Sequence, residues 1–157
     1  MEIQGYNMPD DLHYEEHHYW IKGEGDILVM GMDDFARQMA GEIVYVQLPF
    51  EGKKLIAGKK FAKVESGKWV GKVFAPVNGE LLESNEELEM DPTIINKDCY
   101  GEGWMYKIKP SDVGEVEKLI HGDEAIEKWI LGDIEKYKYK WALGVISQIG
   151  LGFKFIP

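Results

Sequence analysis

Apolar residues along the chain fall into two periods, one of strands and one of helices. His18-Tyr19-Trp20-Ile21 and Ile27-Leu28-Val29-Met30 read as strands, joined through Gly23-Glu24-Gly25-Asp26, a tight-turn signal. Asp33 or Asp34 caps the next element, because a carboxylate there accepts from free backbone N–H groups. Phe35, Ala36, Met39 and Ala40 then share a helical face and Gly41 supplies the stop, which predicts a helix of about two turns packed on a sheet. Ile43, Val44, Tyr45, Val46 and Leu48 return to a strand closed by Pro49, and Gly52 and Gly58 punctuate the connection to a hairpin. Phe61 and Val64, then Val73, Ala75 and Val77, are the apolar positions of its two strands. Ser66-Gly67 is its turn signal, since glycine accepts positive φ at little cost, and Lys68 falls at or beside the apex. Met105-Tyr106-Lys107-Ile108-Lys109 alternates as a last strand, ended by Pro110.

Beyond it the period changes. Ser111 or Asp112 caps a helix bearing Val113, Val116, Leu119 and Ile120, which Gly122 ends, and Asp123 caps a second. In that second helix Ile126, Trp129, Ile130, Ile134, Tyr137 and Trp141 recur at three- and four-residue spacing, a stripe expected to pack on the β scaffold. The tail from Ala142 to Pro157 is apolar and glycine-spaced, with Lys154 its single charge. It is either tucked into a groove, used in dimer contacts or laid against a partner, because free exposure of such area promotes association. At the other end, Met1 to Asp11 reads as a polar lead-in, poorly ordered at its start.

Composition narrows the class of protein. A chain of 157 residues suits one domain of ordinary size with a real core, and 45% hydrophobic with 29% charged residues is a globular balance. The formal charge of −10 argues against nucleic acid, whose binders present clustered lysine and arginine, and favours basic protein partners. One cysteine, Cys99, cannot form an intramolecular disulfide, consistent with a reducing compartment. Neither a signal-peptide pattern nor a run of membrane-spanning length is present, so the expected location is cytoplasmic, with no membrane partner.

Several motifs are weaker than they look. Gly67-Lys68 is followed by Trp69 where a phosphate loop needs Ser or Thr, and Ala62 occupies the position of that motif's first glycine. His13-Tyr14-Glu15-Glu16-His17 has the spacing of a zinc-peptidase motif, which requires a helix. The strand pattern after it removes that face, and no metal site is predicted. Glu86, Glu87, Glu89 and Asp91 read as a solvated loop rather than a cation site, or as a patch that docks partners. Tyr100 and Trp104 are expected to anchor a turn rather than bind a ligand.

Lys68 is different in kind. On local pattern alone it is a solubilising turn residue or an attachment point, and a resemblance decides between them. Val64-Glu65-Ser66-Gly67-Lys68 with Phe74-Ala75-Pro76-Val77-Asn78-Gly79-Glu80 resembles the lipoyl-lysine hairpin and following strand of the glycine cleavage system H protein family. His18-Tyr19-Trp20-Ile21, Gly31-Met32-Asp33-Asp34-Phe35-Ala36, Gly41-Glu42-Ile43-Val44-Tyr45-Val46-Gln47-Leu48-Pro49, Asp91-Pro92, Asn96-Lys97-Asp98 and Tyr100-Gly101-Glu102-Gly103-Trp104 resemble its other signatures in order, over about residues 12 to 112. The chain departs from the family pattern in its C-terminal extension and at Trp69, where a small residue is common. That tryptophan either covers the dithiolane ring, touches a partner or forms the exposed edge of a strand.

The resemblance implies a mainly β (α+β) fold, a flattened β-barrel or barrel-sandwich hybrid of the lipoyl-domain type with a short helix and C-terminal helices. It implies a lipoyl-carrier domain over residues 1–112, with 113–157 a helical extension and apolar tail packed on it. Lys68 would carry lipoate in amide linkage, supported by Glu65, Ser66, Gly67 and Trp69. The implied role is non-catalytic: a carrier in glycine catabolism serving a pyridoxal-phosphate glycine decarboxylase, a folate-dependent aminomethyltransferase and dihydrolipoamide dehydrogenase, loaded by a lipoate ligase or transferase. Two alternatives stand beside it, a lipoate-binding carrier of a heterodisulfide-reductase-like sulfur oxidation system and an unmodified interaction module of the same fold.

Overall fold

The computed structural model describes residues 1–142 and 153–155, with side chains through Tyr137. In chain order the elements are β1 (Glu2–Ile3), β2 (Tyr6–Asn7), β3 (His13–Glu15), β4 (Tyr19–Glu24), β5 (Ile27–Met32), α1 (Asp34–Ala40), β6 (Ile43–Val46), β7 (Lys54–Leu55), β8 (Lys60–Ser66), β9 (Trp69–Phe74) and β10 (Gly79–Ser84). After these come α2 (Glu87–Met90), α3 (Ile94–Lys97), β11 (Tyr106–Pro110), a 3₁₀ helix (Val113–Lys118), α4 (Asp123–Ala142) and β12 (Phe153–Phe155).

Among the described residues, β3-β4-β5-β11-β10-β7 form one sheet and β12-β9-β8-β6 another, with β1 and β2 paired separately. The fold is mostly β with a few helices, as expected, and among the described residues the sheets are not closed into a barrel. They face each other through aromatic residues. Phe61 of β8 meets Tyr106 of β11 edge to face at 5.0 Å, and Tyr19 of β4 donates its hydroxyl to the Lys72 carbonyl of β9 at 3.0 Å. Trp20, Tyr14, Tyr19, Tyr106 and Phe35 are fully buried, and each such side chain contributes about 1.5–3 kcal/mol through the water it leaves.

Local chemistry sets the helices. Asp33 is the N-cap of α1, its carboxylate accepting from the Ala36 N–H at 2.9 Å, and Gly41 ends the helix at φ 74°. Phe35, Ala36 and Ala40 are buried, while Met39 is only partly covered. Asp112 caps the 3₁₀ helix through the Gly114 N–H, so the first C-terminal helix is tighter and shorter than its apolar spacing suggested. In α4 the expected stripe is buried at Ile126, Ile130, Ile134 and Tyr137, with Trp129 packed against the core. The side chain of Trp141 and the tail lie outside the described residues, except for the backbone of β12.

Two expectations need correction. The N-terminal lead-in is a β1–β2 hairpin, because Ile3 and Met8 are buried and the Met1 ammonium and N–H of Met8 bond across its mouth. The acidic run is not a loop throughout, since Glu87–Met90 make one helical turn that buries Leu88.

Candidate functional site

The hairpin of β8 and β9 is antiparallel, with Glu65 opposite Val70 and Val64 opposite Gly71. Gly67 and Lys68 form its reversal and both are exposed. The turn is held by Ser66, which is buried: its Oγ accepts from the Lys68 N–H at 3.2 Å and from the Trp69 N–H at 3.1 Å. A hydroxyl accepting from two nearby amides fixes the backbone beneath Lys68 without touching its side chain. Gly67 is not among the glycines at positive φ, and a Cβ built on it meets nothing within 4 Å. The reversal therefore rests on Ser66, not on the conformational freedom of Gly67.

Each flank of the turn is a paired strand. Ser66 lies opposite Ile43 of β6, and Trp69 lies opposite Phe155 of β12. Trp69 is 3% exposed, so it belongs to the core and is neither an exposed strand edge nor a free surface for a ring to lie on. Glu65 is part-exposed and its carboxylate pairs with the Lys63 Nζ at 3.2 Å. Of the expected supporting residues, Ser66 holds the turn, Trp69 anchors it, Glu65 stands beside it and Gly67 only permits it.

Behind the hairpin, Asn78 and Gly79 lock the chain as it leaves β9. The Asn78 Oδ1 accepts from the Ala57 N–H at 2.9 Å, and Gly79 packs so closely on β11 that a Cβ would lie 2.2 Å from the Lys109 carbonyl oxygen. Tyr100 ties the late loop to the core. Its hydroxyl donates to the Asn7 carbonyl at 2.6 Å and accepts from the Asp34 N–H at 2.9 Å, the anchoring role expected of it. Asp91 likewise serves local structure, accepting from Thr93 and Lys97, which holds its carboxyl below the usual range. Cys99 is buried, and that burial pushes its thiol up to about 12, leaving it unsuited to nucleophilic work.

A feature the sequence did not disclose lies under α4. His18, fully buried at φ 76°, places Nδ1 2.8 Å from Asp33 Oδ2 and Nε2 2.7 Å from Asp133 Oδ2. Burial alone would lower the imidazole pKa, but the Asp33 charge and the bonds to Asp133 and Asp33 outweigh it and carry it up to about 9. Burial also lifts Asp33 above its ordinary value, against the pull of His18. The ring of Trp129 stacks on the imidazole, with centroids 4.5 Å apart. The zinc-peptidase spacing does not produce its site: His13 lies in β3, and His17 sits past its end, its N–H donating to the Glu15 carboxylate at 2.9 Å.

The sequence profile described as "Glycine cleavage H-protein" matches residues 12–130. A glycine cleavage system H protein of Bacteroides thetaiotaomicron is 44% identical over 117 residues, covering 74% of this chain and 93% of that protein. A probable glycine cleavage system H protein 2 of Sulfolobus acidocaldarius is 46% identical over 125 residues, covering 77% and 84% respectively. The crystal structure of a glycine cleavage system H protein from Mycobacterium marinum superposes with a TM-score of 0.68 at 34% identity, over 77% of this chain and 98% of that one. With an exposed lysine on a braced β-turn and a profile match spanning most of its length, the chain belongs to the glycine cleavage H-protein family.

Proposed function

We propose that Lys68 is the lipoyl attachment point and that the chain carries lipoate between the enzymes of the glycine cleavage system. The observation that supports this most is the position of Lys68: exposed at the reversal of β8 and β9, on backbone bonded to Ser66 Oγ and flanked on both sides by paired strands. Such an amine is open to a ligase or transferase on several sides, while the amides beneath it stay fixed. Lipoate in amide linkage supplies a dithiolane at the end of a flexible arm, able to accept electrons and a one-carbon unit.

The chain's own contribution is mechanical. Ser66 and the buried Trp69 hold the base of the arm still, so that the swing is confined to the lysine side chain and what it bears. Tethering raises the effective concentration of the arm's end at a docked enzyme to the millimolar range. The partners proposed are the pyridoxal-phosphate glycine decarboxylase, the folate-dependent aminomethyltransferase, dihydrolipoamide dehydrogenase and a lipoate ligase or transferase. In this reading the chain catalyses nothing and works in the cytoplasm. Among the described residues no helix is long and apolar enough to cross a membrane.

The relatives' names favour glycine cleavage over sulfur oxidation. The test is reconstitution with the glycine decarboxylase. Lipoylated wild type supports glycine-dependent exchange of bicarbonate, and Lys68→Arg, incubated with the same lipoate ligase, does not. Full activity of the variant, or none from the modified wild type, overturns the assignment.

A further inference from the structure

Outside the hairpin, the 3₁₀ helix and the loop after it are stitched to the edge strand β3. The Tyr14 N–H donates to the Ile120 carbonyl at 2.8 Å and the Ile120 N–H to the Tyr14 carbonyl at 3.0 Å, an antiparallel bridge. The next pair outward in that register is His13 and His121. A pair without mutual backbone bonds has its side chains closest, with Cα atoms about 4.5 Å apart, and the two imidazole rings lie 4.7 Å between centroids. Glu117, four residues before His121, reaches both rings: one carboxylate oxygen is 3.4 Å from His121 Nε2 and the other 3.8 Å from His13 Nε2.

One hydrogen bond sets how the His121 ring is turned. His121 Nδ1 lies 2.9 Å from the Leu119 carbonyl oxygen, which only accepts, so Nδ1 donates there and Nε2 is the ring nitrogen that faces Glu117. His13 Nε2 is buried and, among the described residues, makes no hydrogen bond. Two imidazole nitrogens and a carboxylate thus converge within 4.8 Å of one another. This is the arrangement a second-sphere carbonyl creates for a metal-binding histidine.

We propose that His13, Glu117 and His121 bind a divalent transition-metal ion of zinc type. Zinc takes imidazole nitrogen and carboxylate oxygen at about 2.0–2.2 Å, which sets tetrahedral ligand atoms about 3.4 Å apart. The distances of 3.4 and 3.8 Å approach that spacing without an ion. Two imidazoles exclude calcium and magnesium, which prefer oxygen throughout. Glu117 and His121 are exposed, leaving a coordination position for water. The ion would clip the segment ahead of α4 onto β3. The nearby group of Glu15, Glu16 and His17 is the competing place, although its His17 Nδ1 is already bonded to the Glu15 carboxylate.

The test uses the full-length, tag-free protein stripped with a chelator, titrated with Zn²⁺ by calorimetry and with Co²⁺ by visible absorption. Wild type is expected to bind one equivalent of Zn²⁺ saturably, to raise its thermal midpoint with Zn²⁺, and to give the intense bands of tetrahedral cobalt. His121→Ala and Glu117→Gln, both at exposed positions, each weaken Zn²⁺ binding at least tenfold and abolish those bands. Glu16→Gln leaves both unchanged. Absence of saturable binding, a loss below tenfold in either ligand variant, or a loss in Glu16→Gln overturns the proposal. None of these readouts depends on lipoate.

Discussion

His18 and Asp133, 115 residues apart in the chain, are joined at 2.7 Å across the face where α4 meets the strands. The other imidazole nitrogen holds Asp33, the residue that caps α1, so one buried ring links the cap of the first helix to the body of the last. Asp133 lies beyond residue 130, where the family match ends. The contact therefore fastens the part of α4 beyond the matched span to residues within it.

Stability is expected to fall as pH rises from 6.5 to 9. The folded-state pKa of His18 is raised from 6.5 to about 9, so its contribution is fully present below pH 6.5 and lost as pH climbs through 9. At about 1.36 kcal/mol per unit, the loss is on the order of 3 kcal/mol. Thermal midpoints measured across that range should decline in wild type and decline less in Asp133→Asn, which starts lower. A wild-type midpoint flat from pH 6.5 to 9 contradicts the charged ring.

Ser66→Ala should loosen the hairpin while Gly67→Ala should not. Ser66 Oγ accepts from two amides, and removing it costs about 1–2 kcal/mol. Gly67 has neither positive φ nor a neighbour within 4 Å of a Cβ, so alanine there changes stability by less than about 0.5 kcal/mol. Chemical denaturation of the two variants checks the contrast, and the reverse order would return the turn to the glycine.

Gly79→Ala should be severe. Its Cβ would fall 2.2 Å from the Lys109 carbonyl oxygen, a backbone atom that only moves with β11, and the expected cost is about 3 kcal/mol or more. The same denaturation series measures it. A variant as stable as wild type would show that β10 and β11 separate freely there.

What the sequence disclosed was mostly local. The β8–β9 hairpin, a cap at Asp33 or Asp34, the Gly41 stop and the apolar stripe of α4 each depend on residues within a few positions; all are present in the fold, with Asp33 as the cap. The position of Lys68 was legible for the same reason. Ser66-Gly67 signalled a turn, but which residue holds it depends on where Oγ points, and composition does not record that. The burial of Trp69 depends on the packing of two sheets, and the joining of His18 to Asp133 on the path of a helix more than a hundred residues away. Likewise, His13 acquires His121 as its neighbour only through the register of the Tyr14–Ile120 bridge. The resemblance implied a flattened β-barrel or barrel-sandwich hybrid, and among the described residues the strand pairing gives two main sheets that are not closed into a barrel.

The most direct measurement is peptide mass mapping of protein produced in a host that makes lipoate, with wild type and Lys68→Arg compared. A guanidinium stays protonated and cannot serve as the attacking amine, while the exposed turn tolerates its bulk. Wild type should carry a lipoyl mass increment confined to the peptide containing Lys68, and the folded variant should carry none. An increment on Lys63 or Lys72, or an unmodified Lys68 in protein exposed to an active lipoate ligase, would contradict the carrier assignment at this turn.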